Sequence, residues 1–315
     1  MTNPNNAFEF SAATFPVVFF NPAAGSGRAR VCLPRIRRLF ESRQIPAIFI
    51  ETKSSGELES RAREAIAEGH RLLLAMGGDG TVQGLVNAAW GADVIIGVLP
   101  AGGGNDFAAA LGLPTDPLKA AETLWNAKPR FVDLARASTA DGRTRLYVGG
   151  GGIGLDAEAA SYASQAYRRF PGRSRYIAAG LRALAQHQPL QVRIEFPDAD
   201  LPAVEASTLL TAVLNTPTYG AGLRLAPGAA IDDGLLQVVL IEDLSTWGVL
   251  KLLPRLMGNG ELRTCRVKRW NARSVRISAD RPCLFHGDGE ILGPAPVEIE
   301  VVPDAVPILT PFSEP

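Results

Sequence analysis

Gly77-Gly78-Asp79-Gly80-Thr81 sets one carboxylate among small, flexible residues at a strand-to-helix junction. Glycines let backbone amides approach an anion, and the helix that follows adds its N-terminal donors. A carboxylate in such a place repels phosphate. Asp79 therefore fits either a Mg²⁺ ion that bridges phosphates or the orientation of a hydroxyl. Taken alone, the segment reads more simply as a tight turn with Asp79 as the helix cap. Two more loops share its character. Asn21–Arg28, NPAAGSGR, offers Ser26, free amides and Arg28 to an anion. It lacks the G-K-[ST] ending of a Walker A loop, and it is not the G-x-G-x-x-G dinucleotide fingerprint. Pro100–Phe107, PAGGGNDF, carries the consecutive glycines Gly102, Gly103 and Gly104. Such a run weakens an ordinary element, so close backbone approach to a ligand explains it better. Asn105 and Asp106 stand where a helix begins, either as caps or as polar contacts to a nucleotide or an acceptor hydroxyl. Three such loops together suggest a polyphosphate such as ATP. The absence of Walker A and kinase catalytic-loop signatures excludes the two commonest kinase classes.

The C-terminal half adds acids. Asp232-Asp233-Gly234 precedes an apolar strand, and Asp288-Gly289-Glu290 follows Phe285. Asp-Gly is a strong turn signal, and each motif read singly is an ordinary β-turn. The functional reading makes Glu290 the general base on an acceptor hydroxyl, whose own pKa is too high for ready loss of its proton. His286 reads as a turn histidine, with a supporting role beside Glu290 as the alternative.

Elements that could position these groups are legible in the first third. Apolar strands at Phe15–Phe20, Ala47–Ile50, Arg71–Met76 and Val94–Leu99 alternate with helical patterns near Pro34–Ser42, from Ser54 to about Glu68, and over Val82–Ala89. Pro34 suits a first helical turn, and Ser54 with Glu57 is a capping-box signal. Buried strands alternating with helices predict a parallel sheet. The glycine loops all follow strands, on the edge where open α/β sheets bind ligands.

After about Ala135 strand signals dominate. Leu190, Val192, Ile194 and Phe196 alternate with Gln191, Arg193 and Glu195, as in a half-buried antiparallel strand. Thr208–Leu214, Leu235–Ile241, Ser274–Ser278 and Val297–Val302 look similar, and helices are expected near Arg173–Gln186 and Ser245–Leu256. The expected division is an α/β domain over 1–135 and a mainly β domain over 136–302. The Pro-rich tail, 303–315, either frays or packs back on the first domain.

Length and composition agree with a folded protein of about two domains: 315 residues, 46% hydrophobic and 20% charged. Lys+Arg and Asp+Glu are both 32, so the net charge is zero, which argues against a nucleic-acid binder driven by bulk charge. Cys32, Cys265 and Cys283 form neither a disulfide framework nor a zinc motif. With no signal-peptide pattern and no continuous apolar span, a cytoplasmic protein is expected. Arg168, Arg169, Arg173 and Arg175 lie near Tyr167, Phe170 and Tyr176. The cluster reads as a solvated face, or as a surface for anionic lipid head groups. Leu250, Leu252, Leu253, Leu256 and Met257 read as core, or as the lining of a lipid-tail channel.

In this order, FFNPAAGSGRA at 19–29, GGDGT at 77–81, LPAGGGNDFA at 99–108, GGGGIGLDA at 149–157, NTPTYGAGLRLAPGAAIDDGLL at 215–236 and DGE at 288–290 resemble the diacylglycerol-kinase catalytic-domain family of lipid kinases. That family includes the bacterial enzymes and the sphingosine and ceramide kinases. GGDGT alone is shared with NAD kinases. The resemblance implies an α/β domain of the NAD-kinase and phosphofructokinase type, a β-sandwich-like second domain, and ATP at the cleft. By position it implies Gly77, Gly78, Gly80 and Thr81 around the phosphates and Asp79 working with Mg²⁺. Asn21, Thr52, Gly102, Gly103, Asn105 and Asp106 would contact nucleotide. Glu290 would be the base, and Asp133 an acid in an Asp–water–Mg²⁺ network. Asp233, with the carbonyls of Ala230 and Leu235, would hold a second, structural Mg²⁺.

Two positions depart from the family pattern: Gly103 stands where Thr is usual, and Gln83 where Asn is usual. The implied activity is ATP-dependent phosphorylation of a lipid hydroxyl, in phospholipid metabolism, with transient contact at a membrane surface. The rival readings are a kinase for a soluble substrate such as NAD and a non-catalytic lipid-binding protein. Oligomeric state stays open, a homodimer among the options.

Overall fold

The computed structural model describes residues 15–164, 172–220, 222–244, 248–249, 251 and 264–311. The chain divides into two compact units, Met1–Val132 with Asp304–Pro315, and Asp133–Pro303.

In the first unit, β1 (Val17–Phe20), α1 (Ala24–Ser42), β2 (Ile48–Glu51), α2 (Ser55–Ala67), β3 (Leu72–Gly77), α3 (Asp79–Ala89), β4 (Ile95–Pro100), α4 (Asp106–Ala110) and α5 (Pro117–Thr123) follow in turn. The strands pair in parallel in the order β2-β1-β3-β4, with Ile308 of the chain's last strand beside Ile96. β1 and β3 are buried at every position, which is why their sequences are unbroken apolar runs. Val18, Phe20, Leu72, Leu74 and Leu99 pack with Ile36 and Phe40 of α1 in one core.

The expected cap at Ser54 forms. Its hydroxyl accepts the Glu57 N–H at 3.2 Å, while the Glu57 carboxylate takes the Lys53 N–H at 2.8 Å instead of closing on Ser54 itself. Pro34 departs from expectation. It lies inside α1, because Gly25, Ser26 and Gly27 hold left-handed angles (φ 57, 62 and 90°) and the helix runs regularly beyond them.

In the second unit, β5 (Lys128–Thr139) enters at Asp133 and pairs antiparallel with β6 (Thr144–Tyr147). Then follow β7 (Gly150–Gly154), α6 (Leu155–Ser164), α7 (Gly172–Gln186), β8 (Leu190–Glu195), β9 (Val204–Leu214), β10 (Leu236–Glu242), β11 (Val267–Ala272), β12 (Ser274–Ala279), β13 (Leu284–Gly287), β14 (Glu290–Pro294) and β15 (Val297–Thr310). β9 is the hub. It pairs antiparallel with β8, β7 and β10. β10 continues to β11, β8 to β12 and β12 to β15. On β8, Leu190, Val192 and Ile194 turn into a core with Val213, Val238, Ile277 and Phe285. Arg193 on the opposite face pairs with Glu205 at 2.6 Å.

β7 was not expected, since GGGIG has no strand propensity. The last strand outruns its expected end at Val302 and continues through Pro303 and Pro307 to Thr310, with Asp304 at φ 48° between them. Among the described residues no helix is long and apolar enough to cross a membrane. Tyr167, Arg168, Arg169 and Phe170, the side chains of Arg173, Arg175 and Tyr176, and Leu250, Leu252, Leu253, Leu256 and Met257 lie outside the described residues.

Candidate functional site

Within the first unit the three glycine loops converge at the ends of β1, β3 and β4. A Cβ on Gly25 would stand 2.2 Å from the Ala101 carbonyl oxygen, and one on Gly102 would stand 2.3 Å from the Gly78 Cα. Backbone meets backbone here, so no side chain fits at either place. The Ala101 and Gly102 amides both donate to the Gly77 carbonyl, at 2.8 and 3.0 Å. Asn105, left-handed at φ 62°, closes its loop: its Oδ1 accepts the Gly102 N–H at 2.9 Å, and its Nδ2 donates to the Gly102 carbonyl at 3.1 Å. Gly103 faces open space.

Asp79 does cap a helix, but not its own. Its carboxylate accepts the Asp106 N–H at 3.2 Å and the Phe107 N–H at 3.0 Å, the first amides of α4. Burial, then the neighbouring Asp106 carboxylate, raises its pKa to about 6, against the pull of those amides. Two acids pressed together at a cluster of loop amides form a place where a cation lowers the energy.

The other expected residues of this unit shape the loops. Asn21 accepts the Ala23 N–H on Oδ1 at 2.9 Å and so turns the chain out of β1. Thr52 is buried and carries the β1–β2 pairing one step on, its N–H donating to the Phe20 carbonyl at 2.9 Å. Gly77 leaves room for the Thr81 side chain, and Thr81 donates its N–H to the Gly78 carbonyl at 2.9 Å as α3 begins at Asp79 and Gly80. Gln83 is buried in α3.

In the second unit Asp133 and Asp233 meet around one turn. Asp133, 1% exposed, accepts the Gly234 N–H at 2.7 Å, and its own N–H donates to the Ile231 carbonyl. Asp233 accepts the Leu235 N–H at 3.0 Å. Burial first, and the Asp133 and Asp232 charges with it, push the Asp233 carboxyl above its ordinary value. Ala230 and Leu235 flank this turn. Among the described residues no three His, Cys, Asp or Glu side chains gather as a metal centre.

Glu290 is half-buried at the start of β14 and paired with Gly287 across a two-residue hairpin. Asp288 and Gly289 make that turn, both with positive φ, 51 and 85°, as the Asp-Gly signal requires. The Asp288 carboxylate reaches past the turn to the run of glycines. It accepts the N–H groups of Val148, Gly149 and Gly150 at 2.7, 2.9 and 3.2 Å.

Sequence reasoning missed a second polar cluster beside it. His286 is not a turn residue but a buried member of β13. Its Nε2 lies 2.9 Å from Asp156 Oδ2 and 2.5 Å from the Tyr219 hydroxyl. Tyr219 donates to the same carboxylate oxygen at 2.6 Å. Burial, then Asp156, holds the phenol well above its ordinary pKa, so it stays a donor. The glycines of β7 make room for this cluster: a Cβ on Gly152 would meet Asp156 Oδ2 at 2.4 Å, and one on Gly150 the Tyr219 ring at 2.9 Å. The signal was the length of that glycine run, which a strand tolerates only where something packs flat on it.

Residues 16–137 match the diacylglycerol kinase catalytic domain, and residues 151–310 match the YegS C-terminal NAD kinase beta sandwich-like domain. The chain is 29% identical over 294 residues to a diacylglycerol kinase of Mycobacterium tuberculosis, covering 92% of this chain and 93% of that one. It is 30% identical over 267 residues to a Stenotrophomonas maltophilia protein named "Probable lipid kinase YegS-like", covering 81% and 84%. A crystal structure of a diacylglycerol kinase from Bacillus anthracis shares the fold, with a TM-score of 0.69 at 21% identity over 94% of this chain and 96% of that one.

Proposed function

The chain belongs to the family of diacylglycerol and YegS-like lipid kinases, and on that premise we propose that it transfers a phosphoryl group from ATP to a lipid hydroxyl. Diacylglycerol and sphingoid or ceramide lipids are the acceptor class. The observation that carries the reading is the meeting of the three glycine loops in the first unit, Gly25 against Ala101 and Gly78 against Gly102, with Asp79 bound to the amides of Asp106 and Phe107. Loop backbones too close for any side chain, together with exposed space at Gly103, suit a ligand bound through amides, as polyphosphates are.

Asp79 and Asp106 have the hard oxygen donors that Mg²⁺ takes, and the raised Asp79 pKa fits a carboxylate awaiting a counter-charge. When bound there, Mg²⁺ would neutralise charge on the phosphates. The amides of Gly78, Gly80, Gly103 and Gly104 would orient the phosphates and stabilise charge that develops during transfer. Glu290 would take the proton from the acceptor hydroxyl as its oxygen attacks the γ-phosphorus and the bond to the ADP oxygen breaks. In the second unit a structural cation would rest on Asp233, the Ala230 and Leu235 carbonyls and water. The Asp233 carboxyl, raised by burial and then by the Asp133 and Asp232 charges, supports that reading. Transient docking on a membrane surface follows from an insoluble acceptor.

The test is incubation with γ-labelled ATP, Mg²⁺ and vesicles of total lipid, with NAD as a competing acceptor. Label in a lipid phosphate is expected. Label in NAD would point to a soluble-substrate kinase, and a calorimetric titration showing no MgATP binding would point to a non-catalytic lipid binder.

One departure from the family pattern gives a prediction of gain. A Cβ at Gly103 meets nothing within 4 Å, so Gly103→Thr fits. A new hydroxyl bond to nucleotide is worth about 1 kcal/mol, so the KM for ATP is expected to fall about fivefold with kcat little changed. A KM that stays the same or rises would show that this position does not face nucleotide.

A further inference from the structure

β7 presents only glycine over Gly150–Gly152, so it has no side chain there to hold a neighbour in place. Glycine-rich strands specify their pairing weakly. β13 nevertheless lies on it in one register, His286 opposite Gly152 and Gly287 opposite Gly151, and Gly287 faces Glu290 across the hairpin. A slip of one residue would send the Glu290 side chain to the other face.

Apolar packing seats Phe285 of β13 in the core against Gly151, and polar fastenings act on the turn beyond it. Asp288 ties the turn to the amides of residues 148–150. One residue before Gly287, His286 is held by Asp156 from the first turn of α6 and by Tyr219 from the loop after β9. His286 is 4% exposed, and its Nδ1 has no hydrogen-bond partner. A buried ring nitrogen left open is unfavourable for stability. An apolar residue would fill this space at lower cost, so the imidazole is there for the geometry that its other nitrogen fixes.

We propose that Asp156, Tyr219 and His286 form a register pin, a set of positioning residues that fixes the orientation of Glu290. The proposal rests on the reading of Glu290 as the base of a lipid kinase.

Tyr219→Phe removes the hydroxyl and keeps the ring on Gly150. His286→Ala removes the imidazole, and His286→Gln retains a donor for Asp156. With MgATP and mixed-lipid vesicles, Tyr219→Phe and His286→Ala are expected to lower kcat about 10- to 100-fold, the scale of an ångström-sized misplacement. The KM for ATP should stay within about twofold, since the nucleotide loops belong to the first unit and the substitutions to the second. His286→Gln should recover part of the loss, and amide exchange at residues 148–150 should quicken in step with the fall in kcat.

Unchanged kcat in both Tyr219→Phe and His286→Ala would overturn the pin. So would a fall in kcat without faster exchange, or one that His286→Gln repeats in full. A wild-type protein that labels no lipid would overturn the base reading first, and the pin with it, before any variant is compared.

Discussion

Glu290→Gln is expected to lower the rate of lipid phosphorylation by a factor of about 10²–10⁴, the usual worth of a positioned general base, with MgATP affinity unchanged. The amide is close in size to the carboxylate but cannot take a proton. The substitution leaves intact the backbone pairing of Gly287 with Glu290 and the three bonds of Asp288 that fix the hairpin. The loss should therefore fall on kcat rather than on binding. Initial rates on lipid vesicles and a nucleotide titration of the same preparation measure both. A variant that turns over within about threefold of wild type would remove Glu290 from the mechanism.

The second large effect belongs to Asp79, where stability and function pull in opposite directions. Its carboxyl is raised from an ordinary 3.8 to about 6. Between those values the folded chain holds a proton that the unfolded chain has lost. Stability from this group is therefore greatest below pH 3.8 and falls as pH rises to about 6, above which the ionised acid is a standing cost. Asp79→Asn copies the neutral form. It is expected to melt no lower than wild type at pH 7.5, and to flatten the stability profile between pH 4 and 6. Phosphoryl transfer should drop about 100-fold or more, since the charge beside the phosphates is lost. Thermal melts across pH and initial rates test both halves. A variant several degrees less stable at pH 7.5 would mean that the carboxylate serves mainly to hold the amides of Asp106 and Phe107. A residue that costs stability and is needed for rate marks an active site.

These two residues differ in how plainly the sequence announces them. Asp79 sits in a local signal, glycines after an apolar strand and before a helix, and the contacts that fix it lie within one α/β unit. The strands there are buried on both faces and so are readable as apolar runs. The cap at Ser54 is readable for the same local reason. In the second unit the signals are non-local. Asp156, Tyr219 and His286 meet across separations of 63 to 130 residues, and no spacing rule links them. β7 hides because its glycines exist to receive other groups, not to form a strand by propensity. β15 hides because Pro303 and Pro307 look like a stop, yet proline needs only a position with no ladder bond to donate. Pro34 misled for the opposite reason: a suitable helix start was present, but the left-handed Gly25-Ser26-Gly27 turn begins α1 earlier.

The bonds from Val148, Gly149 and Gly150 to Asp288 bear on how glycine runs are read. Convergent backbone amides in such a run are the usual invitation to a phosphate. Here the chain answers with an anion of its own, bound at 2.7 to 3.2 Å. The glycine run that opens at Gly149 is thus already occupied at its first amides by a side chain of the protein. The three glycine loops in the first unit are the ones we propose for a phosphate. A glycine-rich motif announces a nest of donors, and only the rest of the chain tells whether the occupant is a ligand or a residue of the protein itself.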